Sequence, residues 1–410
     1  MDVVYKRCCG LDLHKKSISA CLVVPGPSGA AKKESRTFGA MTEDILKLGD
    51  WLGEHGVTHV AMESTGVYWK PVYNILEGDF ELLLVNAKHI KAVPGRKTDV
   101  KDCEWIADLL RHGLLEASFV PDQSQRELRE LTRYRRSLVQ ERAAEVNRLQ
   151  KVLEGANIKL SSVATDIMGK SGRQMLDELV AGSRDTKGLA QLAKGRMRGK
   201  ISELERALVG KFGEHQRFLV ARQLAHIDYL DEMIESVSEE IGERVRPFEE
   251  ELARLDEIPG VGRQTAEELI AELGTDMSRF ATAKHIASWA GMCPGNNESA
   301  GKRKSGRTRK GNRWLRVTLV EAGKGAGRTK DGYLPAQYHR LVSRRGKKKA
   351  AVAVGHTILV IVYHILRDGT SYQELGGNYF DERDRERVEK RLVGRLEKLG
   401  YKVSLEKEAA

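Results

Sequence analysis

The order of apolar patterns in the first 120 residues is the feature that most constrains the fold. Val3–Leu13 and Ser17–Val24 are strand-like runs joined by a short HKK turn, and a third strand is predicted around Ser35–Phe38. Helical and strand-like patterns then alternate. The predicted helices are Thr42–Gly53, Tyr68–Leu76 and about Lys97–Leu115, and the predicted strands between them are Thr58–Glu63 and Glu81–Val85. This order indicates a mixed α/β domain.

Three successive strands followed by alternating helices and strands are typical of an RNase H-like α/β fold. The next region is helical: Gln123–Leu153 and Phe218–Val245 carry apolar residues at the three-four spacing of a coiled coil. Because a narrow seam on a long exposed helix needs a partner, we expect a dimer-forming arm, with a helical spacer as the alternative. Lys159–Gly210, between the two helices, is also predicted to be helical. The predicted domains are 1–120, 121–250 and 251–410.

Positive charge is concentrated in one segment of the chain. The 410 residues include 69 Lys and Arg and 58 Asp and Glu, for a formal charge of +11. Lys302–Lys349 holds seventeen basic residues and two acids, so this segment carries +15 and the remainder −4. Clustered positive charge favours binding to nucleic-acid phosphates, with an anionic membrane surface as the second choice.

The remaining composition predicts a protein of the reducing cytoplasm. The five cysteines form no CxxC pair and no zinc spacing, and the N-terminus lacks a signal-peptide apolar region. The longest apolar run, Ala350–Leu366, contains two histidines and is too short for a membrane span, so it predicts a buried helix and no membrane partner. The charged tail, Asp381–Leu399, predicts a solvated surface helix.

Four carboxylates stand where an RNase H-like fold would bring them together. Asp12 ends the first strand and Glu63 ends the fourth, while Asp99 and Asp102 in KTDVKD lie on one face of a helix or turn. Each acid alone could be a turn former, an exposed residue or a helix start. Together they would repel one another unless Mg²⁺ or Mn²⁺ neutralised them. Two such ions can stabilise a phosphodiester displacement on both the attacking and the leaving oxygen.

Leu255–Leu273 resembles a helix-hairpin-helix. Gly260 and Gly262 permit a tight turn, and backbone N–H groups at the start of the following helix can contact a phosphate. Basic residues follow about forty positions later. The predicted nucleic-acid-binding residues are Gly260, Gly262, Arg263, Lys302, Arg303, Lys304, Arg307, Arg309, Lys310 and Arg313.

An ordered set of motifs carries a family resemblance. The motifs are GLDLHK, AMESTG, KTDVKD, the charged coiled coil, IPGVGRQTA, WAGMCPGNNESAGK and KGNRWLR. The set resembles the DEDD-type insertion-sequence transposases with a C-terminal catalytic serine, which are bridge-RNA-guided recombinases. It covers about residues 5–155 and 250–345. It implies a RuvC-like N-terminal domain, a coiled-coil dimerisation region and a C-terminal transposase domain.

The same resemblance implies the roles of individual residues. Asp12, Glu63, Asp99 and Asp102 would bind Mg²⁺ or Mn²⁺, and Ser299 would be the nucleophile. The partners would be double-stranded DNA and a noncoding bridge RNA. The implied assembly is a dimer to tetramer in which carboxylates and serine come from different subunits, associated with the nucleoid during the reaction.

Two features depart from the family pattern. The commoner pattern has the serine directly before glycine, whereas here Ala300 separates Ser299 from Gly301. Ser305 does precede a glycine and is the alternative nucleophile, but Ser299 follows the PGNN loop at the family position. The helical stretch 159–210 is also longer than in the simplest members.

The sequence therefore predicts an RNA-guided DNA transposase that moves its own insertion sequence through a serine-phosphodiester intermediate. One alternative is a RuvC-like structure-specific endonuclease, in which water attacks with the help of two metals and Ser299 only contacts phosphate. A second alternative is a noncatalytic nucleic-acid-binding protein with a degenerate metal site. A covalent protein–DNA adduct distinguishes the transposase from the endonuclease.

Overall fold

The structure is a computed structural model that describes most of the chain. The described residues are 2–26, 30–64, 66–86, 90, 102–295, 297–306, 308 and 310–406, with backbone only for 297–299 and 303–305. The predicted site residues Asp99, Arg307 and Arg309 lie outside them. The chain folds into two compact units, Met1–Gln123 and Ser124–Ala410.

The first unit is built on a mixed sheet, which has five strands in the part of the chain described. The strands are β1 Cys8–Leu13, β2 Ser17–Pro25, β3 Ala31–Gly39, β4 His59–Glu63 and β5 Glu81–Val85. The helices are α1 Thr42–Glu54, α2 Trp69–Leu76 and α3 Asp102–Arg111. The sheet order is β3-β2-β1-β4-β5, with β1, β2 and β3 antiparallel and β1, β4 and β5 parallel. The predicted mixed α/β domain and its order of elements are confirmed.

The alternation of side chains along β1 assigns its two faces. Cys9, Leu11 and Leu13 pack in the same apolar cluster as buried residues of α1 and α2. Cys8 instead joins the cluster that contains the buried face of α3. Gly10 faces α3 as well, because a Cβ there would lie 2.4 Å from Ala107 N and 2.4 Å from the Cys103 carbonyl oxygen. The backbone of α3 therefore rests directly on β1.

Two long helices of the second unit form an antiparallel arm. They are α4 Gln123–Gly155 and, later in the chain, the helix Glu214–Val245. Arg244 Nη1 lies 2.6 Å from Glu127 Oε2 near one end. Arg142 Nη2 donates to Asp231 Oδ2 over 3.0 Å further along the pair. Because these contacts connect the helices in reverse order, the two helices run in opposite directions.

The apolar seam of the second arm helix is buried within the chain. Its buried members are Val220, Leu224, Ile227, Leu230, Val237 and Ile241. A second chain is therefore not required to cover this seam, because packing within the chain already buries it. Dimerisation stays a prediction, but the seam no longer supports it.

Short helices join the distal ends of the arm. They are α5 Leu160–Val163, α6 Lys170–Ala181, α7 Thr186–Gln191 and α8 Ile201–Ala207, and the second arm helix is α9 Glu214–Val245. Leu149 and Leu153 of α4 share an apolar cluster with Leu176 and Leu204. The stretch predicted as helical between the two arm helices is thus a small helical core at the end of the arm.

In its described residues, the rest of the second unit is mainly helical and contains a two-stranded β-hairpin. The elements are α10 Glu249–Asp256, α11 Arg263–Leu273, α12 Ala283–Trp289, β6 Asn297–Ser299, β7 Lys302–Ser305, α13 Arg313–Ala326, α14 Tyr333–Arg345, α15 Lys347–Asp368, α16 Tyr379–Arg383 and α17 Arg385–Glu397. One apolar cluster contains Leu138 and Ile241 of the arm together with Leu269, Leu319 and Ile358. It includes residues from both sides of the domain boundary predicted near residue 250, and that boundary stays untested.

Helix α15 contains the longest apolar run of the sequence. By length and composition alone it could cross a membrane, but half of its most apolar window is buried inside the protein. Val354, Ile358 and Val362 are fully buried in the core cluster. A Cβ at Gly355 would lie 2.6 Å from the Leu319 carbonyl oxygen, so α15 packs closely on α13. The predicted buried helix is confirmed.

Gly10→Ala should destabilise the first unit, because the added Cβ meets the backbone of α3 and neither element can give way cheaply. We expect a loss of about 1–3 kcal/mol in the free energy of unfolding. Gly53→Ala in α1 is the control, since a Cβ there has no neighbour within 4 Å, and it should be neutral or stabilising. Urea unfolding followed by circular dichroism measures both. Equal stability of the two variants would contradict the close packing of α3 on β1.

Candidate active site and nucleic-acid interface

Asp12 and Glu63 occupy neighbouring positions at the same edge of the sheet. Strands β1 and β4 are parallel, and Leu11 is paired with Met62, so Asp12 and Glu63 are next in register. Side chains two residues apart on a strand lie on the same face of a sheet. Gly10 and Ala61 face α3, so Asp12 and Glu63, two residues later, lie on that face as well. The predicted convergence of these two carboxylates follows from strand register alone.

Asp102 reaches the same region as the first residue of α3. Burial raises the pKa of Asp12 above its usual value, and the negative charges of Asp102 and Glu63 raise it further. His14 acts in the opposite direction on the pKa of Asp12, with its Nε2 3.2 Å from Asp12 Oδ2. Asp12 is therefore close enough to both Asp102 and Glu63 to be affected by their charges. His14 is a direct partner of Asp12.

The donor chemistry of this edge fits a hard divalent cation. Carboxylate oxygens are the ligands that Mg²⁺ and Mn²⁺ prefer, and a cation would relieve the repulsion exerted on Asp12. Among the residues whose placement is described, no three His, Cys, Asp or Glu side chains are grouped closely enough to hold a metal ion. Asp99, the fourth predicted ligand, lies outside those residues.

Ser299 is the last residue of β6, directly before the turn of the β-hairpin. Its backbone pairs with that of Lys302 across the hairpin. The turn residues Ala300 and Gly301 have φ angles of 50° and 72°, and positive φ at both positions is required by a type I′ turn. Ser305, the alternative nucleophile, pairs with Asn297 at the other end of the hairpin. The two serines therefore occupy opposite ends, one beside the turn and one at the base.

Contacts on both sides of the hairpin fix its base. Pro294 and Thr308 form an antiparallel bridge below the two strands. Gly311 packs so closely on the end of α12 that a Cβ would lie 2.3 Å from Gly291 N. Asn312 then caps α13, because its Oδ1 accepts hydrogen bonds from Trp314 N at 3.0 Å and from Leu315 N at 3.2 Å. The chain that leaves the hairpin is thus held at two successive residues.

A buried carboxylate connects this cap to the arm. Asn312 Nδ2 donates to Glu272 Oε2 of α11 over 2.6 Å. Glu272 is only 2% exposed, and Arg133 of α4 donates to both of its oxygens, at 2.7 and 2.9 Å. Arg129 Nε donates to the Ala271 carbonyl one residue earlier. We call Arg129, Arg133, Glu272 and Asn312 the anchoring network.

Further buried ion pairs lie beside the anchoring network. Arg135 Nη1 is 2.8 Å from Glu267 Oε2, and Arg136 Nη1 is 2.6 Å from Glu268 Oε2. Burial raises the pKa of Glu268, while a hydrogen bond from Thr318 and the charge of Arg136 lower it. Helices α4, α11 and α13 are therefore joined through largely buried charged and polar groups. These residues are not identifiable from the sequence, because arginines on a long charged helix and glutamates in AEELIAEL resemble ordinary solvated positions.

The predicted phosphate-binding residues are distributed over the hairpin and the segment after it. Lys302, Lys310 and Arg313 are exposed, as a phosphate contact requires. Arg303 and Lys304 belong to β7, where only the backbone is described.

The segment predicted to be a helix-hairpin-helix contains α10 and α11, joined by a short turn. Gly260 has a φ of 87°, and a Cβ there would lie 2.4 Å from the Ala322 carbonyl oxygen, so this glycine packs on α13. Gly262 caps α11 without a side-chain hydrogen bond. Arg263 Nη2 donates to Glu249 Oε2 at 2.8 Å and its Nε donates to Glu267 Oε1 at 3.1 Å. A phosphate bound at Arg263 would have to compete with these two carboxylates.

Glu272→Ala should destabilise the second unit strongly, because it leaves Arg133 and Asn312 without their buried partner. Removal of one member of a buried ion pair costs about 3–5 kcal/mol. Glu321→Ala is the matched control: Glu321 pairs with Arg136 but is 58% exposed, so its loss should cost less than about 1 kcal/mol. Urea unfolding measures both variants. A small and equal cost for the two would show that the anchoring network does not hold the hairpin base.

Two family models match the chain. One, described as Transposase, matches residues 9–158, which include the sheet, α3 and the first arm helix. The other, described as Transposase IS116/IS110/IS902 family, matches residues 252–339, which include α11, the hairpin and α13. Together they cover more than half of the chain.

Curated relatives match over similar regions. The transposase for insertion sequence element IS1111A of Coxiella burnetii is 23% identical, over 71% of this chain and 72% of its own length. The insertion element IS116 uncharacterized 44.8 kDa protein of Streptomyces clavuligerus is 27% identical, over 70% of this chain and 78% of its own. The pilin gene-inverting protein of Moraxella bovis is 30% identical, over 28% of this chain and 37% of its own.

Proposed function

Because the chain belongs to the IS110/IS116 family of insertion-sequence transposases, we propose that it exchanges DNA strands through a covalent bond between Ser299 and a DNA phosphate. The observation that carries the proposal is the position of Ser299 beside the turn of a hairpin whose base is fixed by the anchoring network. A nucleophile on such a support can be held in one place while DNA is bound and released.

The covalent step conserves the energy of the phosphodiester. Ser299 Oγ forms a bond to phosphorus and gives up its proton, while the bond from phosphorus to one deoxyribose oxygen breaks and that oxygen takes up a proton. The reverse reaction with a different DNA end completes strand exchange. Hydrolysis by water would instead release the phosphate end and lose the bond energy that rejoining requires.

The carboxylates at the sheet edge would hold the divalent metal. Asp12, Glu63 and Asp102, together with Asp99, are the proposed ligands, and their sheet is proposed to be of the RuvC-like type. A bound Mg²⁺ or Mn²⁺ supplies positive charge that stabilises the phosphoryl group during displacement. His14 Nε2 lies 3.2 Å from Asp12 Oδ2, beside the proposed metal ligands.

The basic segment would hold the nucleic acids. Lys302, Lys310 and Arg313 are proposed to contact backbone phosphates, and the uncapped start of α11 after Gly262 is proposed to contact one more. The guide is proposed to be a noncoding bridge RNA, and the active assembly a dimer to tetramer. These partners rest on the motif resemblance and on the family, whose function requires DNA binding.

A structure-specific endonuclease is the second candidate, because the carboxylate edge alone would suffice for hydrolysis by a metal-activated water. Such an enzyme would need no covalent intermediate. The two functions therefore differ in their dependence on the serine hydroxyl.

Ser299→Ala should abolish both recombination and the covalent protein–DNA adduct, because it removes the oxygen that attacks phosphorus. DNA binding should remain, since no charge changes. Ser305→Ala, the matched control at the base of the hairpin, should keep much of its activity. Denaturing electrophoresis of labelled DNA shows the adduct as a protease-sensitive shifted band. An adduct that persists in Ser299→Ala would exclude Ser299 as the nucleophile, and cleavage without any adduct in the wild type would favour the endonuclease.

Asp12→Asn should abolish DNA cleavage at every Mg²⁺ concentration while leaving DNA binding intact, because it removes a ligand charge outside the basic segment. Asp50→Asn is the charge-matched control: Asp50 is exposed on α1, which packs on the opposite face of the sheet. Cleavage assays with added Mg²⁺, Mn²⁺ or EDTA measure the effect. Full cleavage by Asp12→Asn, or by the wild type in EDTA, would rule out the metal site.

A further inference from the structure

A basic groove lies between α14 and α17, near the end of the chain. It encloses a cavity of about 520 Å³. This volume is within the range of about 300–1,000 Å³ that is common for ligand sites. The polar side chains that line it are Arg340, Ser343 and Arg344 on α14, and Asp384, Arg387 and Arg391 at and after the start of α17. With four arginines and one carboxylate, its lining carries a formal charge of +3.

The four arginines form two pairs at i and i+4 on facing helices. Arg340 and Arg344 are one turn apart on α14, and Arg387 and Arg391 are one turn apart on α17. Like charges at this spacing destabilise a helix, and here both pairs face the same cavity. An anion in the groove would convert this repulsion into attraction.

Most of these arginines have no carboxylate partner in the described part of the chain. Arg340 is held in place: its Nη2 lies 3.7 Å from Asp384 Oδ2, and its guanidinium stacks over Phe380 at 5.4 Å. Arg344, Arg387 and Arg391 form no ion pair with a described acid. Among the described residues, three of the four groove arginines therefore keep a positive charge that no neighbouring carboxylate compensates.

We propose that this groove binds the backbone phosphates of DNA. The planar guanidinium offers paired N–H donors that match the oxygens of a phosphate, and the two helices present four such groups around one concave site. Helix α14 lies within the basic segment Lys302–Lys349, whereas the sequence alone predicts only a solvated face for the C-terminal helix. The proposal needs only that the chain binds DNA and is independent of the chemistry of Ser299.

The C-terminal helix itself supports this role. No residue of α17 is buried, so few apolar contacts attach it to the rest of the unit. A phosphate bound by arginines of both α14 and α17 would therefore contribute much of the interaction that holds α17 on the second unit. Amide hydrogen exchange in α17 should therefore be slower when DNA is bound than in the free protein.

The test compares two double variants of the full chain with equal loss of charge on the same helix. Arg387→Gln with Arg391→Gln removes the α17 side of the groove. Lys390→Gln with Arg395→Gln removes two exposed positive charges that do not line it. Dissociation constants for a short duplex DNA of random sequence are measured over a series of salt concentrations. The groove variant should lower the slope of log affinity against log salt by about 1 for each arginine, whereas the control should leave it close to the wild type.

A third variant separates fork geometry from charge. Arg387→Lys with Arg391→Lys keeps both charges, so the salt slope should stay near the wild-type value while the affinity falls. Circular dichroism of each unbound variant checks that the helix is retained, which glutamine and lysine both favour.

Two results would overturn the proposal. The first is equal affinity and equal salt slope for the groove variant and the charge-matched control. The second comes from repeating the titration with a short RNA hairpin: weakened RNA binding with unchanged duplex DNA binding would assign the groove to RNA. DNA-dependent protection of α17 in the wild type and its loss in the groove variant would support the DNA assignment.

Discussion

The buried ion pairs between α4 and α11 are the interaction on which the second unit depends. Glu272 is nearly inaccessible to water, and its charge is compensated by Arg133 through two hydrogen bonds and by the Asn312 amide. Charges taken out of water are costly unless they are paired and hydrogen-bonded, so the network favours the arrangement of the three elements in which Glu272 keeps these partners. The net contribution of such a network to the free energy of unfolding is small. Its main effect is to specify how the three helical elements are arranged. As a result, Asn312, which follows the hairpin, is held in a fixed position.

Features that follow from chain order and periodicity could be predicted from the sequence. Asp12 and Glu63 end apolar runs that had to be strands, and parallel register then makes them neighbours. The buried helix at Ala350–Leu366 followed from its apolar content alone. The arm was harder, because the same seam of Val220 and Leu224 suits a second chain or an antiparallel helix of the same chain. Sequence spacing does not distinguish these partners, since both bury the same side chains.

Features that depend on long-range contacts could not be predicted. Glu272 and Arg133 are separated by 139 positions, and nothing in their local patterns shows that both are buried. Gly260 was expected to permit a turn, and it does, but its contact with α13 is set by a helix more than fifty residues later. The basic groove likewise requires α14 and α17 to meet. Its arginines look like solvated charges until the facing pair is known.

Separate tasks are proposed for separate parts of the molecule. The carboxylates at the sheet edge are proposed to hold a metal ion, Ser299 to act as the nucleophile, and the basic residues to bind nucleic acid. The central proposal is that the hydroxyl of Ser299 bonds to DNA. The most direct measurement is mass spectrometry of protease- and nuclease-treated wild-type protein after reaction with DNA. We expect a nucleotide attached to Ser299 in the peptide that contains this residue. A nucleotide on Ser305 or any other residue, or recombined DNA without a modified peptide, would contradict it.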